Sequence, residues 1–390
     1  MQALPQSADV LVIGAGPVGL SLATSLRQHG VDAVLLDRAA EGANTSRAAV
    51  VHARTLEVLR DIKVTDELIE RGLVVPRFTV RERDRVLLTV EFGELPTDFP
   101  YTLLVPQNIT EEILLRRLEA VGGQVNRPFE VTGLTQDEDG VTAALAGGER
   151  LQARYVVGAD GMHSIVREHT GIAFEGDAYP ESFVLADVHL DWAGAGDEVM
   201  LFFSPEGVTV VAPLPGGRHR IVATVNEAPK EPTAADVQAL LDGRGPKEHP
   251  AVVRDVVWSS RFRVHHRLAA HYRSGRVFLA GDSAHVHSPA GGQGMNTGIQ
   301  DALVLADKLA AVLNDGAPDG TLDAYETERR PIAEHVVSFT DKMTHVATVG
   351  SPVLRGMRNT LLRALDWVPA VHRTMAMNLS ELSTDPARHR

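Results

Sequence analysis

An α/β fold is predicted, built on a parallel sheet that the chain leaves and later rejoins, with an inserted β-sheet layer and C-terminal helices. Three observations predict it. Residues 9–14 (DVLVIG) form a β-branched apolar run ended by glycine, followed by an apolar-periodic helix to about residue 30 and a second apolar strand over 33–37, a βαβ opening. Between residues 183 and 225, short alternating stretches such as VMLFFS and VTVVAPL, separated by Pro and Gly turns, read as strands of a separate sheet. Residues 276–280 (RVFLA) then return to a buried strand, and a glycine-rich loop leads into a long helix over 298–313.

The remaining elements fit around these. Residues 62–70 and 110–121 carry helical periodicity, with Pro106 and the candidate N-cap Thr110 marking the second start. Residues 131–151 alternate apolar and polar around acidic turns, as a small antiparallel meander does, and 154–159 (RYVVGA) read as a buried strand. From residue 331 onward the pattern is helical, with a break at 350–352. The expected division is a discontinuous nucleotide domain over 1–75, 100–175 and 265–330. A mostly antiparallel substrate domain over 76–99 and 176–264, and a helical region over 331–390, complete it.

The chain has 390 residues, 44% hydrophobic and 23% charged, which suffices for a large core. Acidic residues outnumber basic ones by 51 to 38, so a net charge of -13 argues against a nucleic-acid partner. Cysteine is absent, which removes disulfides, thiolate catalysis and cysteinyl zinc, and a cytoplasmic location is expected. The uncharged run 10–26 is no membrane span, because Asp9 precedes it and Gly14, Gly16, Pro17 and Gly19 interrupt it. No membrane partner is expected, and the protein is read as a monomer or homodimer.

Chemistry enters with Gly14-Ala-Gly16-Pro-Val-Gly19, which follows a strand, opens a helix and has acidic Asp37 at the end of the next strand. Gly14 permits the tight turn, Gly16 lets the backbone approach a pyrophosphate, and Gly19 lets helix and strand pack closely. Asp37 suits ribose hydroxyls. The motif specifies a dinucleotide and leaves NAD and FAD open.

Two later segments decide between them by resemblance. Val156-Val-Gly-Ala-Asp160-Gly161-Met-His-Ser164-Ile-Val-Arg167 resembles the DG motif of the class A FAD-dependent aromatic hydroxylases related to p-hydroxybenzoate hydroxylase. Gly281-Asp282-Ser-Ala-His285-Val-His-Ser-Pro289, continuing through Gly291-Gly292-Gln-Gly294-Met295-Asn296-Thr-Gly298, resembles that family's GD motif and flavin loop. The three motifs arrive in the family's order across nearly the whole chain. The fold implied is a Rossmann-like FAD-binding domain of the glutathione reductase and p-hydroxybenzoate hydroxylase type, carrying the inserted sheet. Many polyketide and phenol hydroxylases of the family continue into a thioredoxin-like domain, and a chain of this length is expected to lack it.

The resemblance implies roles for further residues. Arg47 resembles the arginine that meets the FAD pyrophosphate, Gln107 the glutamine beside the cofactor, and Asp160-Gly161 a contact to FAD that also helps the nicotinamide donor. Asp282, at the carboxyl edge of its strand, suits the ribityl chain. Pro289, Gly292, Gly294 and Met295 belong to the loop that resemblance places beside the reactive ring, where free N–H groups stabilise negative charge on reduced flavin. Asn296 reads equally as a helix N-cap and as a flavin contact. His285 and His287 have the spacing of two metal ligands but no identifiable third, so no metal is expected. Ser283 lacks the Gly-x-Ser-x-Gly elbow of a hydrolase.

The activity implied is hydroxylation of an aromatic or phenolic, polyketide-like small molecule of secondary metabolism. Non-covalent FAD, reduced by transient NADPH or NADH, would react with O2 to a C4a-hydroperoxide that transfers oxygen. One nucleotide fingerprint, rather than two, fits a visiting reductant. No acid or base is singled out by spacing. The alternatives are an FAD oxidoreductase without oxygen insertion and a flavin-binding sensor without turnover. The Trp-x-Trp-x-Ile signature of halogenases is missing, since Trp192, Trp258 and Trp367 stand apart.

Overall fold

A computed structural model of the chain describes residues 4–42, 48–192, 194, 196–289, 291–347, 349 and 351–384. The strand Ser7–Ile13 lies in the middle of an eight-stranded sheet, parallel to Ala33–Leu36 on one side and to Arg150–Gly158 on the other. Val125–Asn126 and Val277–Leu279 extend the sheet beyond these two, also in parallel. Val10, Leu11 and Val12 are wholly buried, as expected of a parallel strand covered on both faces. The chain departs from Ser7–Ile13 toward both edges, which makes its carboxyl end a topological switch point where α/β sheets open a crevice. Gly14, Asp160 and Gly281 all stand at this edge, just past Ile13, Gly158 and Leu279.

The second sheet also has eight strands. In order they are His285–Val286, Val252–Ala269, Phe174–Asp191, Arg218–Val225, Gly207–Leu214, Glu198–Ser204, Arg77–Glu82 and Arg85–Glu91. All its pairings are antiparallel except that of Glu198–Ser204 with Arg77–Glu82. Both faces are covered. Met200, Phe202, Val211 and Ile221 pack with Val237 and Leu241 of the helix Ala234–Arg244, which a Thr233–Asp236 capping box starts. The alternate residues Val199, Leu201, Phe203, Val210, Ala212 and Leu214 join the core shared with the nucleotide domain. Period-two alternation thus assigns every second residue to the side where a substrate would lie.

Some boundaries differ from expectation. Of the helix expected over 62–70 the structure forms Thr65–Arg71, and a separate helix not expected from the sequence, Ala53–Leu59, precedes it, with Lys63 between them in the left-handed region at φ 59°. The helix Gln107–Ala120 begins before Thr110: Pro106 is its N-cap, and its fixed φ turns the chain straight into the helix. The strands Phe174–Asp191 and Val252–Ala269, each 18 residues long, pair with each other in the second sheet and cross the boundaries expected at 175/176 and 264/265. His285–Val286, expected in the nucleotide domain, pairs with Arg267 and Leu268 of the substrate sheet. The helix Asp323–Ala347 continues through Pro331, so the helical region begins upstream of residue 331. The helices Gly294–Asn314, Pro352–Leu365 and Pro369–Leu379 complete the fold. Among the described residues no helix is long and apolar enough to cross a membrane.

Candidate active site

The three fingerprint glycines have different constraints. Gly14 has φ +103°, and a Cβ there would lie 2.3 Å from the Ala159 carbonyl oxygen. At Gly19 a Cβ would lie 1.8 Å from the Gly14 carbonyl oxygen. Both are glycine because protein backbone fills the space. Gly16 is the N-cap of the helix Pro17–Gln28, and nothing stands within 4 Å of its Cβ position. Its openness, at a helix end whose first N–H groups have no intrahelical partner, is a cradle for an anion.

Asp37 is pinned at the sheet edge: Ala15 N–H donates to its Oδ2 at 2.8 Å and Ala39 N–H to its Oδ1 at 2.7 Å. Each oxygen keeps a lone pair for a ribose hydroxyl. Gln107 opens its helix, accepts from Ala48 N–H at 3.1 Å and donates to Glu111 Oε1 at 2.8 Å. Burial holds the Glu111 carboxyl above its ordinary range, against the Gln107 hydrogen bond. Arg47 lies outside the described residues.

At the DG motif, Asp160 Oδ2 accepts from Val166 N–H at 3.3 Å, while its buried Oδ1 has no hydrogen-bond partner. Burial raises the Asp160 carboxyl above the usual range. Gly161 is at φ +82°. Arg167 donates to the carbonyls of Ser283 and Met162 and lies over the Phe174 ring, so it fastens the DG and GD motifs together. Gly281, at φ +62°, turns the chain so that Asp282 stands exposed at the carboxyl edge.

The glycine-rich loop is tightly bound. A Cβ on Gly292 would meet Val50 at 2.8 Å, and Gly294 faces His287. Pro289 accepts the Gly292 N–H, closing a turn. Gly294 and Met295 open the helix, whose first N–H groups have no intrahelical partner. Asn296 is neither an N-cap nor free for a ligand through its side chain. Gln293 occupies the cap position, and Asn296 accepts from His52 N–H and donates to the carbonyls of Val50 and Gly292. What it retains for a cofactor is its backbone.

His285 and His287 do not converge on a metal. His285 Nε2 lies 2.7 Å from Asp301 Oδ2, and its ring stacks on that of His287 at 6.4 Å. Desolvation depresses His287, and likewise His52, to about 4, so both are neutral at pH 7.

Several groups escaped sequence reasoning. Arg220 and Asp187 form a buried bidentate ion pair, 2.7 and 2.9 Å, on the sheet face turned to the shared core. The available signal was a charged residue among the apolar residues of each strand, Asp187 in VLADVHL and Arg220 in HRIVATV. Asp301, Arg329 and His285 form a second buried cluster, and Glu381 a third.

A family model described as FAD binding domain matches residues 7–340. The chain belongs to this FAD-binding family. Its site fits the cofactor: the open Gly16 cradle suits pyrophosphate, Asp37 and Asp282 suit polyol hydroxyls, and the unpartnered Asp160 oxygen lacks an acceptor's donor. The chain is 39% identical over 363 residues to 6-methylpretetramide 4-monooxygenase of Streptomyces rimosus, covering 90% of itself and 64% of that relative. It is 36% identical over 355 residues to pentachlorophenol 4-monooxygenase of Sphingobium chlorophenolicum, covering 87% and 65%. It therefore spans about two thirds of the length of these curated relatives. Among solved structures, p-nitrophenol 4-monooxygenase of Pseudomonas putida superposes with a TM-score of 0.86 at 27% identity, over 97% of this FAD-binding chain and 99% of the other.

Proposed function

We propose that the protein is an FAD monooxygenase that hydroxylates a phenolic or quinonoid aromatic molecule, using O2 and a transient NADPH or NADH. The observation that carries this reading is an FAD cradle that shares one hydrophobic core with a sheet face holding the buried Arg220–Asp187 ion pair. Bound FAD would supply the hydride acceptance and oxygen activation. The chain's own residues do the rest. Gly16 and the helix N-terminus would hold pyrophosphate, Asp37 the ribose, and Asp282 the ribityl hydroxyls. Backbone N–H groups at the start of the helix Gly294–Asn314 would stabilise negative charge on the ring. Leu201, Phe203, Val210, Ala212 and Leu214 line the shared core and exclude water from the aromatic substrate. Arg220, paired with Asp187, contributes the fixed cation of that face. The names of the relatives acting on pentachlorophenol and p-nitrophenol support a substituted phenol.

The reductant has its own candidate surface. Arg261, Arg263, His265 and Arg267 alternate along one strand, and His265 interacts electrostatically with Arg263, Arg267 and His163 of the DG motif. Desolvation first, then these cations, keeps His265 below its ordinary value. A cationic row on a chain of net charge -13 suits the phosphates of a nicotinamide nucleotide. Arg263→Glu is expected to raise the KM for NADPH about tenfold, the loss of one charge-assisted contact, while flavin content stays unchanged. An unaltered KM would remove the row from the reductant's path.

The function test is direct. Purified protein should be yellow, and a phenolic or polyketide-like compound should accelerate NADPH oxidation and gain one oxygen by product mass. Flavin turnover without oxygen gain would favour a plain oxidoreductase, and no ligand-stimulated turnover a sensor. Colourless protein that binds no added FAD would sink the reading.

A further inference from the structure

Behind the flavin loop lies an acid that the proposed chemistry does not use. Glu381 follows the helix Pro369–Leu379, is 2% exposed, and holds φ 60°, a left-handed conformation that ordinarily favours glycine just past a helix. Its carboxyl meets two side chains in the first turns of the helix Gly294–Asn314. Thr297 Oγ1 lies 3.1 Å from Glu381 Oε1, and Gln300 donates to Oε2 while also reaching Thr55 at 3.2 Å. Its neighbours hold the loop itself: Gln293 Nε2 donates to the Asn378 carbonyl at 3.0 Å, and Arg54 N–H to the Ser380 carbonyl at 3.2 Å. Leu379 packs against Gly291, whose carbonyl bonds His52 Nε2 at 2.7 Å.

We propose that Glu381 is a positioning residue of the flavin site: held as a neutral acid between Thr297 and Gln300, it fastens segment 378–381 beneath the loop and keeps the loop closed. The inference rests on the flavin reading of that loop.

Thr297 Oγ1 is also 3.1 Å from the Gln293 carbonyl, so its one hydrogen is shared between that carbonyl and Glu381 Oε1. Two charged groups act on this buried carboxyl: Asp301, on the helix Gly294–Asn314, disfavours a second negative charge, and Arg329, on the helix Asp323–Ala347, favours it. Arg329 is committed to Asp301 at 2.7 Å and to the Thr297 carbonyl at 3.3 Å. Burial consequently pushes Glu381 up to about 8, despite the Thr297 and Gln300 hydrogen bonds and Arg329. Its ionisation would put a second carboxylate beside Asp301 and weaken the fastening.

The sign of the pH dependence follows. A carboxyl whose folded pKa is raised gives its full stability below the unfolded value of 4.5, and that stability is lost as pH rises to about 8. Glu381→Gln imitates the neutral acid and has no such loss. The test compares wild type, Glu381→Gln and Glu381→Ala, first as apoprotein melting curves across that pH window. The Gln variant should gain on wild type steadily up to about pH 8 and hold a constant lead above it. The second readout is the share of NADPH electrons released as peroxide, a measure of loop closure. That share should rise in wild type about pH 8, stay flat in Glu381→Gln, and be high throughout in Glu381→Ala. Parallel melting profiles of wild type and Glu381→Gln would overturn the assignment, as would a Glu381→Ala peroxide share equal to wild type. If the protein takes up no FAD, the function reading fails, while the apoprotein comparison still decides the role of Glu381.

Discussion

Gly16→Val is expected to purify as a folded, colourless protein, while Gly19→Ala loses the fold. The contrast comes from what each missing side chain would meet: open space at Gly16, and at Gly19 the Gly14 carbonyl oxygen at 1.8 Å. The valine at 16 projects into the pyrophosphate cradle and should weaken FAD binding at least about 100-fold, roughly 2.7 kcal/mol. The methyl at 19 has only backbone to displace, so the helix Pro17–Gln28 must lift from the sheet, at about 3 kcal/mol or more. Circular dichroism with visible flavin absorbance separates the two. Full flavin content in Gly16→Val would show that the cradle is not where the cofactor binds.

Asp301→Ala should be the most damaging single change away from the glycines. Asp301 is fully buried, 2.7 Å from both Arg329 Nε and His285 Nε2, and it accepts the Gly281 N–H at 3.3 Å. Desolvation alone would raise this carboxyl, but Arg329 and His285 outweigh it and hold it below its ordinary value. Its contribution is therefore present at neutral pH and is lost only as pH falls through the depressed value. Removing it leaves the Arg329 guanidinium buried without its counter-charge, a loss of about 3–5 kcal/mol. Denaturant titration measures it. Replacing the pair together, Asp301→Leu with Arg329→Met, should recover much of that loss, because no stranded charge remains. Equal losses in the single and double variants would show that the pair stabilises by attraction rather than by mutual neutralisation.

The parts of the fold written in local pattern were legible. The βαβ opening, the alternating strands around Met200 and Val210, and the helix after the glycine loop each announce themselves by period and punctuation. Element ends were less so. Thr110 has the chemistry of a cap, yet Pro106 starts the helix, and only the three-dimensional path chooses between them. The N-cap reading of Asn296 fails for a related reason: its side-chain partners, Val50 and His52, are more than 240 residues away in sequence. Separations of 84 and 33 residues likewise hid the pairing of Glu381 with Thr297 and of Arg220 with Asp187, since contacts between segments apart in sequence leave no period behind.

The order of strands in the central sheet also sets a timetable. Ser7–Ile13 needs Arg150–Gly158 as its neighbour, and that strand needs Val277–Leu279. Synthesis at roughly 5–20 residues per second delivers the last of these some 15–50 s after the first. Until then Val156, Val157 and Gly158 lack a partner on that edge, whose first half already pairs with Val141–Leu145, and an open edge invites pairing with other chains. Recovery of soluble protein should therefore respond to temperature and to chaperone supply during expression more than to the stability of the finished molecule.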